Sequence, residues 1–271
     1  MYKIIAVDID GTLVKIGSKE LDDVTKETLI KAQEMGIKVV VTTGRPLKGM
    51  QKIVDALKIG DYNGYAIGFN GAKIYKMPSG EVVSEEGIDV DILPEIFKFA
   101  RDNKINCSTY SNEYFYVENP EEKYLKFVGG IEGHTIVKRD FLKDPIDFKI
   151  PKILFGGDEA VIKEIEILAK EKFKDKLTIF RSEPFLLELL PPNTDKGMAL
   201  KKLIEILGYK REDILAFGDG YNDITMLKFA GMGVAMGNAS DTVKKCADFV
   251  TLTYEENGVA YCVKKFALQE Q

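Results

Sequence analysis

Buried-looking apolar runs recur early in the chain, with helix-spaced segments between them. Lys3-Ile4-Ile5-Ala6-Val7 is the first run, Ile37-Lys38-Val39-Val40-Val41 the second and Gly64-Tyr65-Ala66-Ile67-Gly68-Phe69 the third. Short continuous runs rich in β-branched residues read as strands covered on both faces. Between them, apolar residues fall at helical spacing over 23–35 and 47–57. Asp22 or Asp23 offers an N-cap to the first of these helices, and Gly36 closes it. Strands joined by helical crossovers lie parallel, so the fold class expected is α/β with a doubly wound parallel sheet.

The pattern changes near Gly80. Helical spacing covers 91–103, 120–129 and 158–173. Strand-like runs occupy 113–117, 134–139, 152–156, 177–181 and 185–190. Apolar and polar residues alternate more clearly here, as in a sheet with one solvated face. The α/β rhythm returns with a helix at 195–207, a strand at 214–217, a helix at 222–229 and a strand at 232–235. The expected organisation is a core domain made of 1–81 and 191–271, interrupted by an inserted α+β domain over 82–190.

Composition narrows the possible functions. The chain has 271 residues, enough for two domains. Its formal net charge is −5 and it has no basic run, so nucleic acid is not an expected partner. No apolar stretch approaches the roughly 20 residues that span a bilayer. The chain runs straight into a strand without a signal-peptide pattern, and Cys107, Cys246 and Cys262 form no pair motif. Both features point to a cytoplasmic protein. Asn106-Cys107-Ser108 and Asn238-Ala239-Ser240 match a glycosylation pattern that has no meaning in that compartment.

The candidate chemistry lies at strand ends. Asp8 and Asp10 follow the first run, and Gly218-Asp219-Gly220-Tyr221-Asn222-Asp223 follows Ile214-Leu215-Ala216-Phe217. Ligands in open α/β sheets bind beyond the carboxyl ends of strands. Two like charges about 4 Å apart repel by about 4 kcal/mol at an effective dielectric near 20. Four carboxylates at one edge therefore need protons or a cation. Hard oxygen ligands suit Mg2+ or Mn2+. Zinc does not fit, because His134 is the only histidine and the cysteines are scattered. Thr42-Thr43-Gly44 ends the second strand, where hydroxyls and N–H groups can hold phosphate oxygens. Lys196, opening a later helix, would bring a cation to the same edge.

Together these segments resemble the haloacid dehalogenase superfamily, within its Cof-like phosphatases that carry a large α/β cap. The motifs are Asp8-Ile9-Asp10-Gly11-Thr12, Thr43-Gly44-Arg45, Lys196-Gly197 and Gly218-Asp219-Gly220-Tyr221-Asn222-Asp223, with Asn70-Gly71-Ala72 after the third strand. The likeness spans essentially the whole chain and is greatest to bacterial sugar-phosphate phosphatases. It implies a Rossmann-like core in which Asp8 is the nucleophile and Asp10 the general acid. It implies Mg2+ held by Asp8, the Asp10 carbonyl, Asp219 and Asp223. Thr43, Lys196 and Asn222 would hold phosphoryl oxygens, helped by backbone N–H groups around Ile9, Thr42 and Gly44. Arg45, Asn70 and Gly71 are candidate substrate contacts, and the substrate expected is a small phosphorylated metabolite. The cap should select it, with Tyr110, Tyr114, Arg181 and Glu183 as candidates.

Three other readings share part of this pattern. A phosphomutase would share the core. A phospho-acceptor signalling domain would be single and about half this length. A Rossmann cofactor binder would use Gly231-Met232-Gly233-Val234-Ala235-Met236-Gly237, but the spacing is GxGxxxG and no early βαβ unit surrounds it.

Overall fold

Strand β1 (Ile4–Asp8) is buried along its whole length, as its continuous apolar sequence requires. The computed structural model describes residues 2–270 apart from 112, 145 and 147, and the backbone alone at 131. After β1 come α1 (Asp23–Glu34), β2 (Lys38–Thr42), α2 (Leu47–Ala56), β3 (Tyr65–Gly68), β4 (Lys73–Lys76) and β5 (Glu81–Glu85). Asp22 caps α1 by accepting from the N–H groups of Val24 and Thr25.

The next elements are α3 (Leu93–Asp102), β6 (Asn106–Tyr110), β7 (Tyr114–Val117), α4 (Lys123–Glu132), β8 (Thr135–Lys138), β9 (Ile153–Gly156), α5 (Glu159–Lys172), β10 (Thr178–Glu183) and β11 (Leu186–Leu190). The chain then returns through α6 (Lys196–Leu207), β12 (Ile214–Gly218), α7 (Ile224–Phe229), β13 (Met232–Ala235), α8 (Asp241–Lys244), β14 (Phe249–Val250) and α9 (Gly258–Cys262). Two compact units result. One is Met1–Ser84 with Asp195–Gln271, and the other is Glu85–Thr194.

The first unit holds a sheet of order β14-β13-β12-β1-β2-β3-β4-β5. From β14 to β3 the strands run parallel. Apolar clusters pack on both faces, one around Val7, Val41 and Phe217 and the other around Ile4, Ala6 and Ala216. Successive strand residues alternate between these faces. The expectation of a parallel sheet needs one correction, since β4 runs antiparallel to β3. Asn70-Gly71 reverses the chain there, with Asn70 at φ 53° and Gly71 at φ 106°. β5 also belongs to this sheet, so the core's first segment runs to Ser84.

The second unit holds a sheet of order β10-β11-β9-β6-β7-β8, antiparallel except for β7 with β8. Phe97, Phe99, Phe155, Ile162 and Phe173 form its apolar core with α3 and α5. β6 has no counterpart in the sequence reading. Its residues Asn-Cys-Ser-Thr-Tyr look polar, yet Ser108 and Thr109 are fully buried. The Thr109 hydroxyl donates to the Lys152 carbonyl, which offsets the cost of burying Thr109. The helix expected over 120–129 begins instead at Lys123, because Glu122 caps it by accepting from Leu125 N–H.

Gly233 lies in β13 where α7 crosses closely. A Cβ there would overlap the carbonyl oxygen of Leu227. Gly233→Ala should therefore cost about 1–3 kcal/mol, as overpacking does. Denaturant unfolding checks this, and an unchanged midpoint would show that helix and strand can separate freely.

Candidate active site

The strand register brings the polar segments together. Asp8 pairs with Thr42 across β1–β2, and Val7 pairs with Phe217 across β1–β12. The carboxyl ends of these central strands are thus level, and residues 8–12, 42–45 and 218–223 leave the sheet at one edge.

Lys196 is the hub of this edge. Its Nζ lies 2.6 Å from Asp8 Oδ1 and 2.5 Å from Asp223 Oδ1, and its side chain is fully buried. Asp195 caps α6 by accepting from Met198 N–H and so fixes where Lys196 emerges. Burial alone would lower the Lys196 pKa, but the Asp223 and Asp8 carboxylates outweigh it and hold the ammonium protonated. Asp223 also braces its own loop, accepting at Oδ2 from Asp219 N–H and Gly220 N–H.

Asp219 completes a cluster with Asp8 and Asp223. One carboxylate oxygen of each lies within 4.8 Å of the others. Gly11, at φ 81°, permits this approach, since a Cβ there would overlap the Asp219 carboxylate. Thr12 donates its hydroxyl to Asp219 Oδ1 at 2.9 Å, and the Asn238 amide donates to the Gly11 carbonyl and to Asp219 Oδ2. Burial, with Asp223 nearby, pushes the Asp219 pKa up to about 7. Burial raises Asp8 well above the usual carboxylate range, and Asp223 adds to it against the pull of Lys196. Three carboxylates share one ammonium here. The missing positive charge and the all-oxygen donor set fit a hard divalent cation.

Asp10 sits apart from this cluster in its bonding. Arg45 grips it with Nε to Oδ2 at 2.8 Å and Nη2 to Oδ1 at 2.5 Å, and Gly17 N–H donates to Oδ1 at 2.9 Å. Thr43 is buried, and its hydroxyl accepts from Arg45 N–H at 3.2 Å, which leaves the hydroxyl proton available to an anion. The Thr42 hydroxyl instead donates to Met226 Sδ in the interior, so only its backbone faces this edge chemically. Ile9 is buried, and its carbonyl anchors the turn that follows by accepting from the N–H groups of Leu13 and Val14. Asn222 donates its amide to Asn70 Oδ1 at 2.9 Å, and Asn70 is buried close behind Gly44. Gly71 is hemmed in by the Asp195 carbonyl, where a side chain would collide.

The sequence pattern does not mark Thr12 or Asn238 as partners of Asp219. Thr12 belongs to the Asp8–Thr12 motif, whereas Asn238 carries no signal beyond an empty glycosylation match. In the other unit, Tyr110 is fully buried against Phe115 and His134. Arg181 is paired with Glu166 at 2.6 Å. Tyr114 is exposed, and Glu183 ends β10. Among the described residues, no helix is long and apolar enough to cross a membrane.

Comparison with known proteins identifies the family. Residues 5–263 match the haloacid dehalogenase-like hydrolase family. The Bacillus subtilis phosphatase YwpJ is 32% identical, over 97% of this chain and 99% of its own. A Bacillus subtilis 5-amino-6-(5-phospho-D-ribitylamino)uracil phosphatase is 31% identical, over 98% and 96%. Among solved structures, a haloacid dehalogenase-like hydrolase from Bacteroides thetaiotaomicron has a TM-score of 0.88 at 38% identity, covering 98% of this chain and 99% of that one. A sugar phosphatase of subclass IIB of the same superfamily has a TM-score of 0.83 at 26% identity, covering 98% and 99%. With its acid cluster built on an α/β core and these relatives matched end to end, the chain belongs to the haloacid dehalogenase-like hydrolase family and is a phosphatase.

Proposed function

We propose that this phosphatase hydrolyses small phosphorylated metabolites, sugar phosphates among them, through an aspartyl-phosphate on Asp8 and with Mg2+ as cofactor. The observation that carries the reading is the buried Lys196 ammonium bonded to both Asp8 and Asp223 beside Asp219. The likeness to a subclass IIB sugar phosphatase supports the substrate class. A net charge of −5 argues against nucleic acid as a partner, and free Cys107, Cys246 and Cys262 suit a cytoplasmic setting.

In the first half-reaction an Asp8 carboxylate oxygen attacks phosphorus, and the bond from phosphorus to the ester oxygen breaks. Asp10 gives a proton to the departing oxygen. In the second, water attacks the phosphorus of the aspartyl-phosphate while Asp10 takes its proton, releasing inorganic phosphate and restoring Asp8. Lys196 screens Asp8 from the incoming dianion, and that compensation is in place before substrate arrives. Thr43 and Asn222, with backbone N–H groups of Ile9, Thr42 and Gly44, hold the phosphoryl oxygens. Asp8, Asp219, Asp223 and the Asp10 carbonyl would hold Mg2+, which when bound neutralises charge on the phosphoryl group.

Asp8→Asn should reduce phosphate release from hexose phosphates and aryl phosphates to background while the melting temperature is kept. A near-normal rate in this variant would end the covalent reading. Stoichiometric conversion of glucose 1-phosphate to glucose 6-phosphate without phosphate release would make the enzyme a mutase instead.

The carboxylate cluster also predicts a pH signature. Between the ordinary value of 3.8 and about 7, folded Asp219 keeps a proton that the unfolded chain has lost. The metal-free protein should therefore lose stability as pH rises through that window. Mg2+ binds the deprotonated cluster, so it should raise the melting temperature more at pH 8 than at pH 5. Equal shifts at both values would place the cation elsewhere, and full activity after exhaustive EDTA treatment would remove it from the mechanism.

A further inference from the structure

Arg45 was a candidate substrate contact by resemblance, and its surroundings argue for another task. The side chain is 5% exposed. Among the described residues, it donates four hydrogen bonds: two to the Asp10 carboxylate, one from Nη2 to the Ser18 carbonyl at 3.1 Å and one from Nη1 to the Gly49 carbonyl at 3.3 Å. A planar guanidinium with parallel donors matches a carboxylate edge to edge and fixes its plane, which an ammonium cannot do. Asp10, by contrast, is part-exposed at 30%, so one face of it remains open beyond the fork. Asp10 also accepts from the Gly17 N–H, in the same turn whose Ser18 carbonyl Arg45 also holds. Arg45 thereby ties three things together: the start of α2, the turn at 17–18 and the plane of the Asp10 carboxylate.

We propose that Arg45 is the positioning residue for Asp10, orienting the carboxylate that transfers protons to the leaving oxygen and from water. It contributes by aiming Asp10 and not by binding substrate. This rests on the reading of Asp10 as the acid–base group, and the two can fail separately.

The test is a double-mutant cycle read on two substrates. The leaving oxygen of a hexose 6-phosphate needs a proton, whereas that of 2,4-dinitrophenyl phosphate does not. Arg45→Met should lower kcat/KM on the hexose phosphate by on the order of 10², within the range of general acid–base catalysis, and on the activated ester by less than about tenfold. In an Asp10→Asn background, Arg45→Met should change the hexose phosphate rate by less than about threefold, because the group it aims is already lost. Arg45→Lys keeps the charge without the fork and should remain impaired. It also serves as the test if Arg45→Met fails to fold. Equal losses on both substrates, or losses that multiply with those of Asp10→Asn, would overturn the inference and return Arg45 to a substrate-binding or purely structural task. If Asp10→Asn itself fails to distinguish the two substrates, the acid–base reading of Asp10 falls first.

Discussion

A single buried ammonium holds this candidate active site together. Lys196 touches Asp8 from β1 and Asp223 from the loop after β12, residues separated by more than half the chain. Removing one partner of a buried ion pair typically costs about 3–5 kcal/mol, because the survivor is stranded without water. The site and the fold of the core are therefore hard to vary independently. One positive charge does not balance three carboxylates, and the raised pKa values of Asp8 and Asp219 express what is missing. Tight clustering of like charge creates a demand for positive charge that a divalent cation fits.

The sheet supplies the alignment that makes this clustering possible. Ile4 lies opposite Lys38 on one side and Ile214 on the other, and that register continues to the strand ends. A slip of one residue would turn each apolar side chain to the opposite face. It would also carry Asp8 away from the edge where Lys196 emerges. Packing on both faces thus sets the position of the chemistry. The glycines of the acidic loops then let backbone and carboxylate approach more closely than any side chain allows, as Gly11 does for Asp219 and Gly218 for Asp223.

Much of the core was legible because its signals are local and strong. Continuous apolar runs marked β1, β2, β12 and β13, and acids at the ends of β1 and β12 marked the edge. The features that escaped depend on tertiary context. β6 is polar in sequence and buried because β7 and β9 pair with its backbone on both sides. β4 and β5 follow a reversal at Asn70-Gly71 that short, charged flanking residues conceal. Asn238 holds Asp219 from 19 residues away, a distance no local pattern reports. Thr42 and Thr43 look equivalent in sequence, yet strand alternation sends one hydroxyl to Met226 and leaves the other at the edge.

Asp8 and Asp10 illustrate how one short motif yields two chemical environments. They are separated by a single residue, but the chain turns after Asp8, so their carboxylates meet different cations. Asp8 is buried against a lysine whose compact charge is shared with a second carboxylate. Such sharing offsets charge without fixing a plane, which suits a group proposed to attack phosphorus and become phosphorylated. Asp10 is part-exposed against an arginine that engages both of its oxygens. Geometry is held there more firmly than charge is hidden, which suits a group proposed to exchange protons with a leaving oxygen and with water. Swapping the two cations would undo both arrangements: arginine is too large and too directional for the enclosed space at Asp8, and lysine has no second donor in plane for Asp10.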